Sequence, residues 1–103
     1  MAIVHDILED ERNRLLELIE RYGDQLAELP RGSISIKKRR GRDYCYLAFR
    51  DGDKVRFEYL GLPESEAVAE CKSFLSRRKE IEAKLKQVKH SLQEVERSLR
   101  GRK

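Results

Sequence analysis

The sequence predicts an α+β chain in the order helix, three-stranded antiparallel meander, helix, and three observations predict it. Residues 3–29 and 63–99 carry apolar side chains three and four apart, the spacing of one helix face. Between them, Ser33–Arg40, Tyr44–Arg50 and Lys54–Leu60 alternate apolar and polar side chains, as half-buried strands do. Breaks containing Gly41 and Gly52 separate these three runs, and residues 32–61 therefore read as one meander.

The first helix has apolar positions at Val4, Leu8, Leu15, Leu18, Tyr22 and Leu29, with Glu11 and Gln25 interrupting the seam. Asp6, Glu9, Asp10 and Glu11 load its first turns with acid, the sign that a helix N-terminus favours. Gly23 weakens a helix by about 1 kcal/mol relative to Ala, which allows a bend or an early end near Tyr22. Pro30 then stops the helix and Gly32 opens the first strand.

The register of the meander follows from the rule that residues facing each other across an antiparallel pair share a face of the sheet. A two-residue Gly41-Arg42 turn pairs Ile34 with Phe49 and Ile36 with Leu47. For the second hairpin, a two-residue Asp51-Gly52 turn would set Phe49 against Lys54 and Leu47 against Arg56. A three-residue Asp51-Gly52-Asp53 loop instead pairs Phe49 with Val55, Leu47 with Phe57 and Cys45 with Tyr59. The expected sheet therefore has an apolar face of Ile34, Ile36, Cys45, Leu47, Phe49, Val55, Phe57 and Tyr59, covered by the helices. Its open face carries Lys37, Arg39, Tyr44, Tyr46, Arg50, Lys54 and Arg56 together with Ser33, Ser35, Ala48, Glu58 and Leu60. That expectation requires Lys37, Arg50 and Arg56 to lie together on the uncovered side.

In the second helix Pro63 suits the first turn, with Glu64 and Glu66 just behind it. Its apolar residues keep a heptad alternation: Ala67, Cys71, Phe74, then Arg78 as the one exception, then Ile81, Leu85, Val88, Leu92, Val95 and Leu99. Val68 and Leu75 add a flank only near the sheet. The two helices are expected to form an antiparallel coiled coil. The second is longer, about 55 Å against about 40 Å at 1.5 Å per residue. The surplus seam then invites a second chain, a homodimer through Leu85, Val88, Leu92, Val95 and Leu99. Residues 100–103 form a basic tail that is expected to fray.

Composition bounds what such a chain does. Its 103 residues suggest one domain with a modest core, and 41% charged residues with a mean hydropathy of −0.76 suit solvent-washed helices better than a deep pocket. No apolar run reaches the ~18 residues of a membrane span, and the start lacks the layout of a signal peptide, so a soluble, cytoplasmic protein is expected. The net charge of +4 is unevenly spread. Residues 1–30 hold three Arg against eight acids, residues 31–60 nine Lys or Arg against four acids, and residues 61–103 eleven against seven. The first helix is thus acidic and the rest basic, which leaves the sheet available to an anionic partner. Cys45 and Cys71 fit neither a disulfide framework nor a zinc spacing and read as reduced core thiols. His5 and His90 have no ligand-spaced neighbours. With no phosphate-cradling Gly loop, nucleophile motif or metal-ligand spacing, the expectation is a non-enzymatic protein without cofactor or metal.

The run GSI, basic residues, a Gly turn, YCYL, FRDGDKV and YLG, followed by ESEAVAE, resembles the arm-type DNA-binding domain of phage and transposon tyrosine-recombinase integrases. It is also similar to a motif of small uncharacterised prokaryotic proteins and some transposase-related proteins, in which LPRGSI and YLG bracket the strands. The resemblance covers roughly Leu29 to Leu75. It implies a three-stranded sheet with a helix on one face, and duplex DNA on the other through Lys37, Arg39, Tyr44, Tyr46, Arg50, Lys54 and Arg56. It also implies a mobile-element accessory or regulator. The 103 residues hold no recombinase catalytic domain, and they add an acidic helix and a long heptad helix. Three readings stand side by side: a DNA-binding sheet, an assembly module whose sheet is only a cap, and a sheet that meets an acidic protein.

Overall fold

A computed structural model describes residues 2–101, the side chain of Ala2 excepted. The order is α1 (Ala2–Ala27), β1 (Ser33–Arg39), β2 (Arg42–Asp51), β3 (Lys54–Gly61) and α2 (Glu66–Arg100), with the strands antiparallel in the order β1-β2-β3. The expected αβββα architecture is the observed one. Of the basic tail, residues 102 and 103 lie outside the described residues. No helix is long and apolar enough to cross a membrane among the described residues.

The chain divides into two compact units. One joins α1 to α2 from Glu80 onward, and the other spans Leu29–Lys79.

In the helical unit the two helices run antiparallel, with Arg12 Nε 3.6 Å from Glu96. Leu15 and Ile81 are its buried residues, flanked by half-buried Leu8, Leu18, Tyr22 and Leu26 on α1 and Leu85, Val88, Leu92, Val95 and Leu99 on α2. Glu11, the interruption in the α1 seam, accepts two hydrogen bonds from Arg14, at 2.6 and 3.2 Å, which hold its carboxyl below the usual carboxylate range. Helix α1 continues through Gly23 to Ala27, and the expected acidic start falls one turn inside it, because the helix begins at Ala2.

Leu85, Val88, Leu92, Val95 and Leu99, the seam expected to meet a second chain, are half-buried in the helical unit. The first fourteen residues of α2 belong to the sheet unit, and α1, at 26 residues, is long enough to run beside all that remain. Unpartnered apolar surface lies instead on α1, at Ile3, Val4 and Ile7.

In the sheet unit the chain enters α2 through a turn in which Ser65 N–H donates to Leu62 O at 2.9 Å. Ser65 then caps the helix, its Oγ accepting from Val68 N–H at 3.4 Å. Pro63 therefore sits in the turn before the helix and not in its first turn. The stripe turned inward here is buried Val68, Cys71 and Arg78 with half-buried Leu75. Ala67 and Phe74, expected on the seam, are exposed, because the face of α2 covered in this unit runs through positions 68, 71, 75 and 78, one flank over from theirs.

Candidate nucleic-acid interface

Two turns set the faces of the sheet. The first is Arg40-Gly41, with φ of 53° and 76°, and it places Arg39 opposite Arg42. Positive φ at both central residues is the type I′ geometry that matches strand twist. Ile34 consequently faces Leu47 and Ile36 faces Cys45, two residues away from the expected register. A shift of two preserves the alternation, so both faces of β1 and β2 are as expected.

The second turn is Gly52-Asp53, a two-residue turn with Gly52 at φ 66° in its first central position, where a three-residue loop was expected. It sets Asp51 opposite Lys54, Phe49 opposite Arg56 and Ala48 opposite Phe57. This is a shift of one residue, and a one-residue shift turns a whole strand over. Val55, Phe57 and Tyr59 therefore lie with Tyr44, Tyr46, Ala48 and Arg50, while Lys54, Arg56 and Glu58 lie with Leu47 and Phe49. A bulge near Gly61 accommodates the change, with Cys45 opposite Gly61 and Tyr46 opposite Tyr59, leaving Leu60 unpaired.

The physical reason is the reach of the cover. In the sheet unit only Cys45, 1% exposed, and Leu47 are buried sheet residues, whereas every residue from Lys54 to Tyr59 is exposed on whichever face it lies. On the helix side Lys54, Arg56 and Glu58 are themselves exposed, so the cover buries none of the β3 side chains that face it. On the other side β3's apolar side chains meet rings. Tyr59 packs on Tyr46 with centroids 5.4 Å apart and on Tyr44 at 6.2 Å, both tilted as aromatic pairs prefer. On the helix side Arg56 pairs with Asp51.

The single cationic face is thus corrected. Lys37, Arg39, Tyr44, Tyr46 and Arg50 come together on the open face, and Lys54 and Arg56 do not join them. Three contributors escaped the sequence argument. Arg42 is placed there by its pairing with Arg39, and Phe57 and Tyr59 by the phase of β3. Tyrosine was the available signal. An amphipathic ring suits either face, so Tyr44 and Tyr46 were as good a match for Phe57 and Tyr59 as the aliphatic set was.

The open face therefore carries four cations, Lys37, Arg39, Arg42 and Arg50, four rings, and no carboxylate among its strand residues. The Lys37 ammonium lies 3.9 Å from the centroid of Phe57 and 5.0 Å from that of Tyr46, reaching from β1 across to β3. Phe57 is 48% exposed and Tyr59 54%. On the covered side both cysteines are buried and free. Burial pushes the Cys71 thiol above its ordinary pKa, and the nearby Glu58 carboxylate adds to the shift.

Residues 8–70 match the family model described as "Domain of unknown function (DUF6788)". The chain belongs to this family. The match to DUF6788 takes in most of α1, the whole meander with both of its turns, and the first turn of α2. No curated protein and no solved structure matches the chain.

Proposed function

We propose that this protein binds nucleic acid, without catalysis, through the open face of its sheet. The observation that carries the reading is the segregation of Lys37, Arg39, Arg42 and Arg50 on a solvent-facing surface free of strand carboxylates, with rings between the charges. Cations on an open sheet also keep a protein soluble, but solubility alone does not favour grouping them with exposed aromatic side chains.

The test is a titration of fluorescein-labelled oligonucleotides, single-stranded and duplex, followed by anisotropy. Binding in the micromolar range or tighter is expected at low salt, weakening between about 50 and 200 mM salt by roughly twenty- to fifty-fold for the single strand and roughly forty- to 150-fold for the duplex if three or four phosphates are engaged. Arg50→Ala is expected to reduce the salt slope by about 0.7–0.9, the share of one phosphate contact. Arg56→Ala is expected to leave it unchanged, because Arg56 lies on the other side with Asp51. Absence of binding to either form at micromolar protein would refute the proposal, as would equal effects of the two substitutions.

Assembly is a second reading, favoured by the exposed Ile3, Val4 and Ile7 at the start of α1. A second copy of the chain is the occupant proposed, since two such strips would bury one another. Ile7→Asp tests this better than a change at Leu92, which is half-buried within its own helical pair. Sedimentation velocity should show a dimer that Ile7→Asp converts to monomer. A wild-type chain that stays monomeric at high concentration ends this reading.

A further inference from the structure

We infer that the ligand of the open face is single-stranded nucleic acid, with bases stacked on Phe57 and Tyr59 and phosphates held by Arg39, Arg42 and Arg50. The inference rests on the nucleic-acid reading above and narrows it. A duplex presents phosphates and base edges, and its base faces are hidden in the stack. Phe57 has no polar atom to offer an edge or a phosphate, yet it stands half-exposed on the edge strand β3, beside the cations of β1 and β2 and under the Lys37 ammonium. An unpaired base has a free face, and stacking on an aromatic ring is how sequence-tolerant single-strand binders use such residues.

Mutual packing does not explain the Phe57 ring. Tyr44 and Tyr46 each pack on Tyr59, whereas the Phe57 ring lies under the Lys37 ammonium at 3.9 Å. A lysine over an exposed ring holds it more weakly than a stacked base does. An arriving base therefore displaces the ammonium, and the freed charge is left next to the incoming backbone. One exchange replaces a contact internal to the sheet by a stacked base and a further phosphate contact. A duplex cannot make this exchange, so Lys37 stays on its rings when the partner is double-stranded.

The experiment uses the full chain with three labelled probes of about 20 nucleotides, longer than the roughly 4–16 nucleotides that comparable single-strand sites occupy. They are a mixed-sequence single strand, its duplex, and an abasic strand with the same phosphates and no bases. The expected result is single-strand affinity at least about tenfold above that for the duplex and the abasic strand. Phe57→Leu and Tyr59→Leu should each lower single-strand affinity about tenfold and leave abasic binding unchanged, which also shows that both variants are folded. Equal affinity for single strand and duplex, or wild-type binding by both Leu variants, overturns the inference while leaving the broader nucleic-acid reading in place. Failure to bind any probe removes both. Displacement of the strand by polyglutamate at matched charge would mark a surface that reads charge alone, and it likewise overturns the inference.

Discussion

Gly32→Ala is expected to lower stability by about 3 kcal/mol or more, and with it the thermal midpoint by more than about 10 °C. Gly32 sits at φ 118°, and a Cβ built there would lie 2.1 Å from the carbonyl oxygen of Ala48 and 3.1 Å from Cβ of Phe49. The obstacle is backbone, which a rotamer change cannot relieve. Ala48 is opposite Ser33 in the ladder, so moving it disturbs the first pairing of β1 with β2. Because Cys45 and Leu47 lie on the same strand, the disturbance reaches the core of the sheet unit. Thermal and urea unfolding followed by circular dichroism measure the effect. A variant within about 0.5 kcal/mol of wild type, the range of ordinary surface substitutions, would show that this close approach does not constrain the chain.

Arg78→Ala has the second large expected effect, a loss of about 2–3 kcal/mol. Arg78 breaks the heptad of α2 and is nevertheless only 9% exposed. Its Nη1 donates to the carbonyl oxygen of Leu29 at 3.1 Å, in the segment between α1 and β1. Removing it takes a charged donor from a partly buried carbonyl and strips the packing of a long aliphatic stem. Arg78→Lys keeps a positive donor but not the planar fork, so it should recover part of the loss and not all of it. The urea midpoint should fall for both variants with an unchanged m-value, and more for Ala than for Lys. If Ala and Lys are equally mild, the guanidinium is incidental to the fold.

The order and type of the elements were legible because they depend on local periodicity and on punctuation by Gly and Pro. The two helices, the three strands and the faces of β1 and β2 came from that source. The exception at Arg78 was visible too, but its partner was not, because the Leu29 carbonyl lies 49 residues away. The phase of β3 could not be read by segregating aliphatic from charged residues. That rule assumes the cover extends over all three strands, and here it protects Cys45 and Leu47 but not residues 54–59. With burial out of the balance, ring pairs and the Arg56–Asp51 contact accompany the observed phase, and tyrosine is ambivalent in any two-letter pattern. Of the seven candidate binding residues, the five on β1 and β2 keep their place and the two on β3 lose it.

The Gly52-Asp53 connection makes the chemistry of the exposed surface a matter of loop length. One residue added between Asp51 and Lys54, with the turn kept at two residues, would bring Lys54 opposite Arg50 and turn β3 over, exchanging an aromatic stripe for a salt-like one while the helices and the first hairpin kept their sequence. A single codon inserted there would thus recast a surface suited to flat rings as one suited to phosphate ridges. Homologous chains that differ by one residue at this position would be expected to differ in what they hold.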